Sequence, residues 1–189
     1  SLGGAALIST MSFHMAKVIT TIEGGVVFTN SKKLYEKIKI LRNIGEPKSK
    51  KYQHTHLGTN ARMTEIQAAI GSSQLSQLEF FLARRNQIAE LYSDTLEDCD
   101  MLNLPRNSML YSTNWQSYVV TLRGRNNPER RNQIIETLNK IGIECRVATQ
   151  AIHRLSYFKQ LLKLNDQYFP NSSWSYDNSI SLPMHVGLS

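Results

Sequence analysis

Between Gln116 and Val147 the hydrophobic period changes twice, and this constrains the fold more than any other feature. Gln116–Leu122 reads as a strand. Pro128 stands at the first position of a helix whose Ile134, Ile135, Leu138 and Ile141 point inward, and Gly142 ends it. Ile143–Val147 reads as another strand. Such a strand–helix–strand unit packs its helix on a sheet, so a small α+β domain is expected over 105–189. Short helices near 153–163 and 172–179 follow, and Leu182–Ser189 reads as a closing loop.

The region before it, 1–104, has a different pattern. Ser1–Ile8 is small and apolar, with no Met start, no helix cap and no basic stretch of the kind that opens a signal peptide. Thr20–Thr29 reads as a turn leading into a short buried strand. Asn30 and Ser31 offer caps to a helix bearing Leu34, Ile38 and Leu41, which Gly45 and Pro47 stop. Residues 46–60 are polar and loop-like. Thr64 and Gln67 then form a capping-box pair opening a helix of some 30 residues, with a possible break near Gly71–Ser73. A helix of that length is expected to bridge two domains.

Composition narrows the class. The chain has 189 residues, 41% hydrophobic and 20% charged, which excludes a disordered chain. No apolar run approaches the roughly 18 residues of a spanning helix. Two cysteines, Cys99 and Cys145, make neither a disulfide framework nor a metal cluster, so a reduced, cytoplasmic compartment is expected. The net charge of +7 suits nucleic acid, a membrane surface or a phosphorylated small molecule. Basic pairs at Lys32-Lys33, Lys50-Lys51, Arg84-Arg85 and Arg130-Arg131 read as solvated helix faces. No basic run is interleaved with aromatics as a stacking platform requires. His54 and His56 lack a Cys or carboxylate to complete a metal site, and read as loop residues.

One segment carries chemistry. Ser12-Phe13-His14-Met15-Ala16-Lys17 places a hydroxyl, an imidazole and an amine among small and apolar neighbours. A lysine in apolar surroundings can lose its charge and attack a carbonyl, and a nearby serine can bind a phosphate. On residue chemistry alone Lys17 reads more readily as a surface or snorkelling lysine than as a catalytic one. Ser12 with His14 lacks the glycine elbow of a hydrolase.

The stretch Ser12-Phe-His-Met-Ala-Lys-Val-Ile-Thr-Thr-Ile-Glu-Gly-Gly25 resembles the lysine motif of the DegT-type (DegT/DnrJ/StrS) sugar-nucleotide aminotransferases, with Met15 for the usual Pro and Ile22 for the usual Gly. Leu41-Arg-Asn-Ile-Gly45 is similar to the family's Leu-Arg-Asn-His-Gly. Gly58-Thr-Asn-Ala-Arg-Met63 is similar to its Gly-x-Asn-Tyr-Arg-Met, with Ala61 for Tyr. Leu182-Pro-Met-His185 resembles its late Leu-Pro-x-His.

The resemblance implies a partial fold type I pyridoxal-phosphate (PLP) transferase, an α/β fold. Residues 1–104 would be the end of the large PLP-binding domain with the interdomain helix, and 105–189 the small domain. It implies an aminotransferase that moves an amine, with glutamate as donor, to a nucleotide-linked keto sugar in polysaccharide, glycan or lipopolysaccharide precursor synthesis. The Ile-Thr-Thr-x-Glu-Gly-Gly form points to amination at C4. Lys17 would hold PLP covalently and shuttle the proton. Ser12 would bind its phosphate, and Asn60 would reach that phosphate from the partner subunit of a homodimer. Arg62 and His153 would meet substrate, and His14 would pack behind the site. No metal, nucleic acid or membrane partner is implied. The aspartate for the pyridine nitrogen lies upstream of the lysine in this family, whereas every Asp here follows Lys17. The chain is therefore expected to be the second half of such an enzyme. The rival from another class is a basic, non-catalytic module for phosphorylated ligands or nucleic acid, which salt-dependent binding without colour would reveal.

Overall fold

A computed structural model describes residues 6–49, 51–106, 110 and 112–188. Residues 1–5 of the apolar start and Lys50 of one basic pair lie outside the described residues. The chain divides into two compact units, residues 1–79 and 80–189. The sequence places the boundary later, after residue 104. The difference lies in the long helix, whose Ile88 and Ala89 are buried and whose Ala89 belongs to the core of the second unit.

In the first unit, β1 (Ser9–Ser12) and β2 (Gly25–Phe28) pair antiparallel from Ser9↔Phe28 to Ser12↔Gly25. Sequence reading misses β1, because Ser-Thr-Met-Ser lacks a run of β-formers. Helix α1 (Lys32–Leu41) starts as expected, its first turn capped by the Ser31 side chain, which accepts from the Leu34 amide. Gly45 then reverses the chain at φ +77°, and a Cβ there would meet the His56 carbonyl oxygen at 1.7 Å. The polar loop after Gly45 folds back on the end of α1. Thr59 N donates to Leu41 O and Ala61 N to Arg42 O, both at 2.9 Å. Helix α2 (Glu65–Ser76) opens with the full Thr64–Gln67 capping box. The expected single helix is broken at Gln77, later than Gly71–Ser73, and α3 (Leu78–Leu96) follows.

The second unit is a four-stranded antiparallel sheet, ordered β3 (Leu102–Asn103), β4 (Tyr118–Leu122), β6 (Ser179–Leu182), β5 (Arg146–Val147). Helices α4 (Pro128–Lys140), α5 (Ser156–Leu162) and α6 (Pro170–Asn178) complete it. The strand–helix–strand unit is present, but split: β6 inserts between β4 and β5. Strand β6 precedes the expected closing loop and takes in only its first residue, Leu182. On β4, Tyr118, Val120 and Leu122 are buried while Val119 and Thr121 are half-buried, the period of a strand with one face on the core. That core joins them to Ala89, Trp115, Cys145 and Ile180, with Ile134, Ile135 and Leu138 of α4 packed against it. Ile141, expected inward, follows α4 and is exposed.

Of the two arginine pairs, Arg130 is exposed as expected, but Arg84, Arg85 and Arg131 are not solvated. Arg131 is buried, and its Nη1 donates to Tyr176 O at 2.6 Å. Arg85 Nη1 donates to Trp115 O and Met184 O at 2.9 and 3.1 Å, and Arg84 donates to Leu188 O. Arginine's fork can serve several carbonyls at once, which lysine cannot. Lys32, Lys33 and Lys51 do lie exposed.

Candidate functional site: the Lys17 loop

Ser12 ends β1, and residues 13–24 form the loop that returns the chain to β2. The neck of this loop is closed by backbone bonds: Phe13 N to Gly24 O at 2.9 Å and Thr21 N to Phe13 O at 3.0 Å. Within it a tight turn carries Lys17, whose N–H donates to His14 O at 2.9 Å. His14 supports the turn from both sides. Its amide donates to Ser12 Oγ, and its Nδ1 accepts from Ala16 N, each at 3.2 Å. Nε2 therefore carries the ring proton, and faces Glu23 Oε1 at 3.6 Å. The imidazole is thus used in holding the turn. Lys17 itself is half-buried, and among the described residues its amine has no hydrogen bond or ion pair.

Thr20 and Thr21 brace the base of the loop. Thr20 Oγ1 donates to Phe13 O at 3.0 Å and accepts from Ile22 N at 2.8 Å. Thr21 is buried, and its hydroxyl donates to Glu23 O at 2.8 Å. Ile22, where the family motif usually has Gly, sits at φ +71°, in the left-handed region that glycine occupies without penalty. The departure from the motif thus costs backbone strain and leaves the reacting group unchanged.

Asn60 and Arg62 lie on the second segment of this unit. Asn60 forms an isolated antiparallel bridge with Asn43, and Arg62 Nη1 donates to Asn43 Oδ1 at 2.7 Å. Both side chains are exposed. Sequence reading misses Asn43, although it stands in the quoted Leu-Arg-Asn-Ile-Gly stretch. A cleft of about 770 Å³ runs between β2, α1 and the segment Ala61–Gln67, carrying Lys39, Arg42 and Arg62; it leaves out Ser12 and Lys17.

His153 belongs to the second unit. It is buried, stacked on Phe169 with ring centroids 4.9 Å apart, and its Nε2 lies 2.9 Å from Ser173 Oγ and 3.2 Å from Asp166 Oδ1. These partners hold it within its own unit. His54 and His56 close the polar loop, with Nδ1 of His54 3.0 Å from Ile44 O and Nδ1 of His56 2.9 Å from Thr55 Oγ1.

The donor set answers part of what PLP demands. Among the described residues the Lys17 amine is unpartnered, which suits the aldehyde, and the Ser12 hydroxyl donates to no other group, which suits the phosphate. The pyridine nitrogen needs a carboxylate. The described aspartates all lie in the second unit, where Arg154 already ties Asp166 and Asp177.

Comparison with known proteins agrees with this arrangement. The chain is 33% identical over 189 residues to the UDP-4-amino-4,6-dideoxy-N-acetyl-beta-L-altrosamine transaminase of Helicobacter pylori, covering 99% of this chain and 50% of that protein. It is also 33% identical to the GDP-perosamine synthase of Caulobacter vibrioides, covering 100% and 49%. Among solved structures, Helicobacter pylori PseC, an aminotransferase of pseudoaminic acid biosynthesis, superposes with a TM-score of 0.90 at 31% identity, over 100% of this chain and 51% of that one. The PLP form of the sugar aminotransferase Spr1654 from Streptococcus pneumoniae gives 0.90 at 27%, over 99% and 49%. The chain spans about half the length of these relatives, and its fold is the corresponding part of a PLP-dependent aminotransferase. The sequence pattern of one family of such enzymes matches residues 1–189 throughout, and the chain belongs to it: the DegT/DnrJ/EryC1/StrS aminotransferase family.

Proposed function

We propose that the protein carrying this chain is a PLP-dependent aminotransferase that aminates a nucleotide-linked keto-deoxy sugar, with glutamate as amino donor. The observation that carries this reading is the unpartnered, half-buried amine of Lys17 on a turn pinned from both sides, within the matched lysine motif. When bound, PLP supplies an aldehyde and a ring that accepts an electron pair. Lys17 Nζ holds the cofactor between turnovers, and takes up and returns the substrate proton during them. Ser12 Oγ donates to the phosphate. Asn60, presented by its bridge to Asn43, reaches the phosphate of the neighbouring site in a homodimer. Arg62 contacts the sugar nucleotide, while His153, buried against Phe169 and Ser173, serves the packing of its own unit. Because the transaminase of Helicobacter pylori carries 4-amino in its name, amination at C4 is the favoured outcome here. A cytoplasmic role in polysaccharide or lipopolysaccharide precursor synthesis follows from that substrate class; no described helix is long and apolar enough to cross a membrane.

The test is borohydride reduction of the complete protein with PLP bound, followed by peptide mapping. The pyridoxyl mass should fall on Lys17. Label on another lysine with none on Lys17 overturns the reading.

A further inference from the structure

The Glu23 carbonyl oxygen is a junction. It accepts from Thr21 Oγ1 at 2.8 Å and from Gln67 Nε2 at 2.9 Å. Thr21 belongs to the Lys17 loop, while Gln67 stands in the first turn of α2, directly after the Asn60–Arg62 segment. Thr21 is buried, 3% exposed, and wedged between two glycines. A Cβ on Gly24 would stand 2.3 Å from Thr21 Oγ1, and one on Gly71 of α2 would stand 2.8 Å from Thr21 Cγ2. Both glycines are therefore required by close approach to one side chain. Gln67 is held in turn, because its Oε1 accepts from Thr64 N at 2.9 Å, closing the capping box. Its amide group thus bonds on both sides, to Thr64 through oxygen and to Glu23 through nitrogen.

From this geometry we infer that Thr21 and Gln67 are positioning residues that lock the Lys17 loop onto the N-terminal turn of α2. The lock sets the position of the Lys17 amine relative to α2, and so relative to the segment whose Asn60 is lent to the neighbouring site. Thr21 fixes the loop's own base, and Gln67 ties that base to the element carrying the second segment. Neither side chain is assigned contact with the cofactor. The inference rests on the PLP reading only for what Lys17 does; the lock itself is a property of the chain.

Gln67→Glu separates the lock from the helix cap. The carboxylate keeps the acceptor for Thr64 N but loses the donor to Glu23 O and places an oxygen against it. Thr21→Val keeps the wedge shape and removes the hydroxyl, and Thr21→Ser restores it. In the complete protein, amide hydrogen exchange at Phe13 and Thr21 should quicken about tenfold or more in Gln67→Glu and Thr21→Val, with Thr21→Ser close to wild type. With PLP bound, the pH midpoint of the visible absorption band should shift in both variants. kcat should fall about tenfold while KM for glutamate stays within about twofold. Unchanged exchange at Phe13 and Thr21 in Gln67→Glu overturns the lock, whether or not cofactor binds. Quickened exchange with an unmoved absorption midpoint and unmoved kcat overturns the positioning role. Absence of any PLP band in the wild type counts instead against the proposed function, and exchange still decides the lock.

Discussion

Arg62 reaches back across the polar loop to Asn43, its Nη1 donating to Oδ1 at 2.7 Å beside the Asn43–Asn60 bridge. The contact joins the end of α1 to the strand-like segment that presents Asn60. Asn43 Nδ2 also donates to Glu46 O at 3.1 Å, so one amide side chain organises both ends of the turn. Asn43→Ala should loosen Asn60, cost about 1–2 kcal/mol of stability, and weaken PLP retention more than it affects folding. Equilibrium dialysis of the complete protein against PLP, beside urea unfolding, separates the two. Full PLP affinity in the variant would show that Asn60 needs no such support.

Subunit mixing tests where Asn60 acts. Homodimers of Lys17→Ala and of Asn60→Ala should each be inactive. If each subunit lends Asn60 to its neighbour, a mixed dimer has one site with both defects and one with neither. Exchange of subunits should then recover a fraction of wild-type activity. No recovery would place Asn60 in the site of its own chain.

Ile22 offers a stabilising change. An L-residue in the left-handed region costs roughly 1–2 kcal/mol, and Ile22 at φ +71° is 51% exposed, so its side chain contributes little burial. Ile22→Gly relieves the strain and adds freedom to the unfolded chain, for a net gain of up to about 1 kcal/mol. Urea unfolding of the complete protein should show the midpoint rising without a change of slope. A lower midpoint would mean that the exposed isoleucine contacts chain beyond these residues.

Much of this could be read from residue order. The motif around Lys17, the capped starts of α1, α2 and α4, and the patterning of β4 are local signals, and they lead to the structure directly. What the sequence hides is non-local. Arg131 looks like a surface arginine because its carbonyl partner, Tyr176 O, lies 45 residues away. Strand β6 is disguised by Pro183 and two serines, though Ile180 and Leu182 alternate as a strand requires, and Ile180 is nearly fully buried. Thr21 is legible as a motif residue, but its wedge between Gly24 and Gly71 depends on a helix some 50 residues on, as its contacts show. His153 looks accessible to substrate in the sequence, whereas Phe169 and Ser173 enclose it.

The second unit has an acid-sensitive tie. Arg154 bonds Asp177 through two nitrogens and Asp166 through Nε, and its guanidinium lies over the Tyr176 ring. Hydrogen bonding by Arg154 holds the Asp166 carboxyl below its ordinary value. Because the folded value is the lower one, the contribution is present above the unfolded value and is lost as pH falls through the folded one. Asp166 is 54% exposed, so solvent screens most of it. The Asp177 side chain is 7% exposed, and Asp177→Ala leaves Arg154 with the more exposed Asp166 alone and takes the acceptor from Asn126, at a cost of about 2 kcal/mol. The urea midpoint should be flat from neutral pH down to about pH 5 and fall below about pH 4. Arg154→Ala should flatten that acid limb; an unaltered limb would remove the tie from the account.

The 189 residues alone should not form a competent PLP site. The first unit supplies an amine at Lys17 and a hydroxyl at Ser12, but its described acids are glutamates: Glu23, Glu36 and Glu46 are engaged with His14, Lys39 and Tyr52 N, and Glu65 and Glu79 stand in the first turns of α2 and α3. The aspartates are in the second unit, with Asp166 and Asp177 held by Arg154. Without a carboxylate the pyridine nitrogen loses its proton and the ring is a poor electron sink. Packing points the same way. Among the described residues of the first unit the buried side chain is Thr21, while Val27, Phe28 and Ile8 remain 44%, 39% and 42% exposed along the two-stranded sheet. A two-stranded sheet with an apolar face and free edges is marginal in water and prone to self-association. The relatives are about twice as long, which leaves ample chain to cover that face. Expressed alone, residues 1–189 should aggregate, or fold without retaining PLP through dialysis, and should show no transamination with glutamate. A stable yellow complex that transaminates would mean that a carboxylate in these residues serves the ring nitrogen, with Asp166 or Asp177 released from Arg154 to do so. Arg154→Ala should then strengthen the colour, and Asp166→Asn or Asp177→Asn should abolish it.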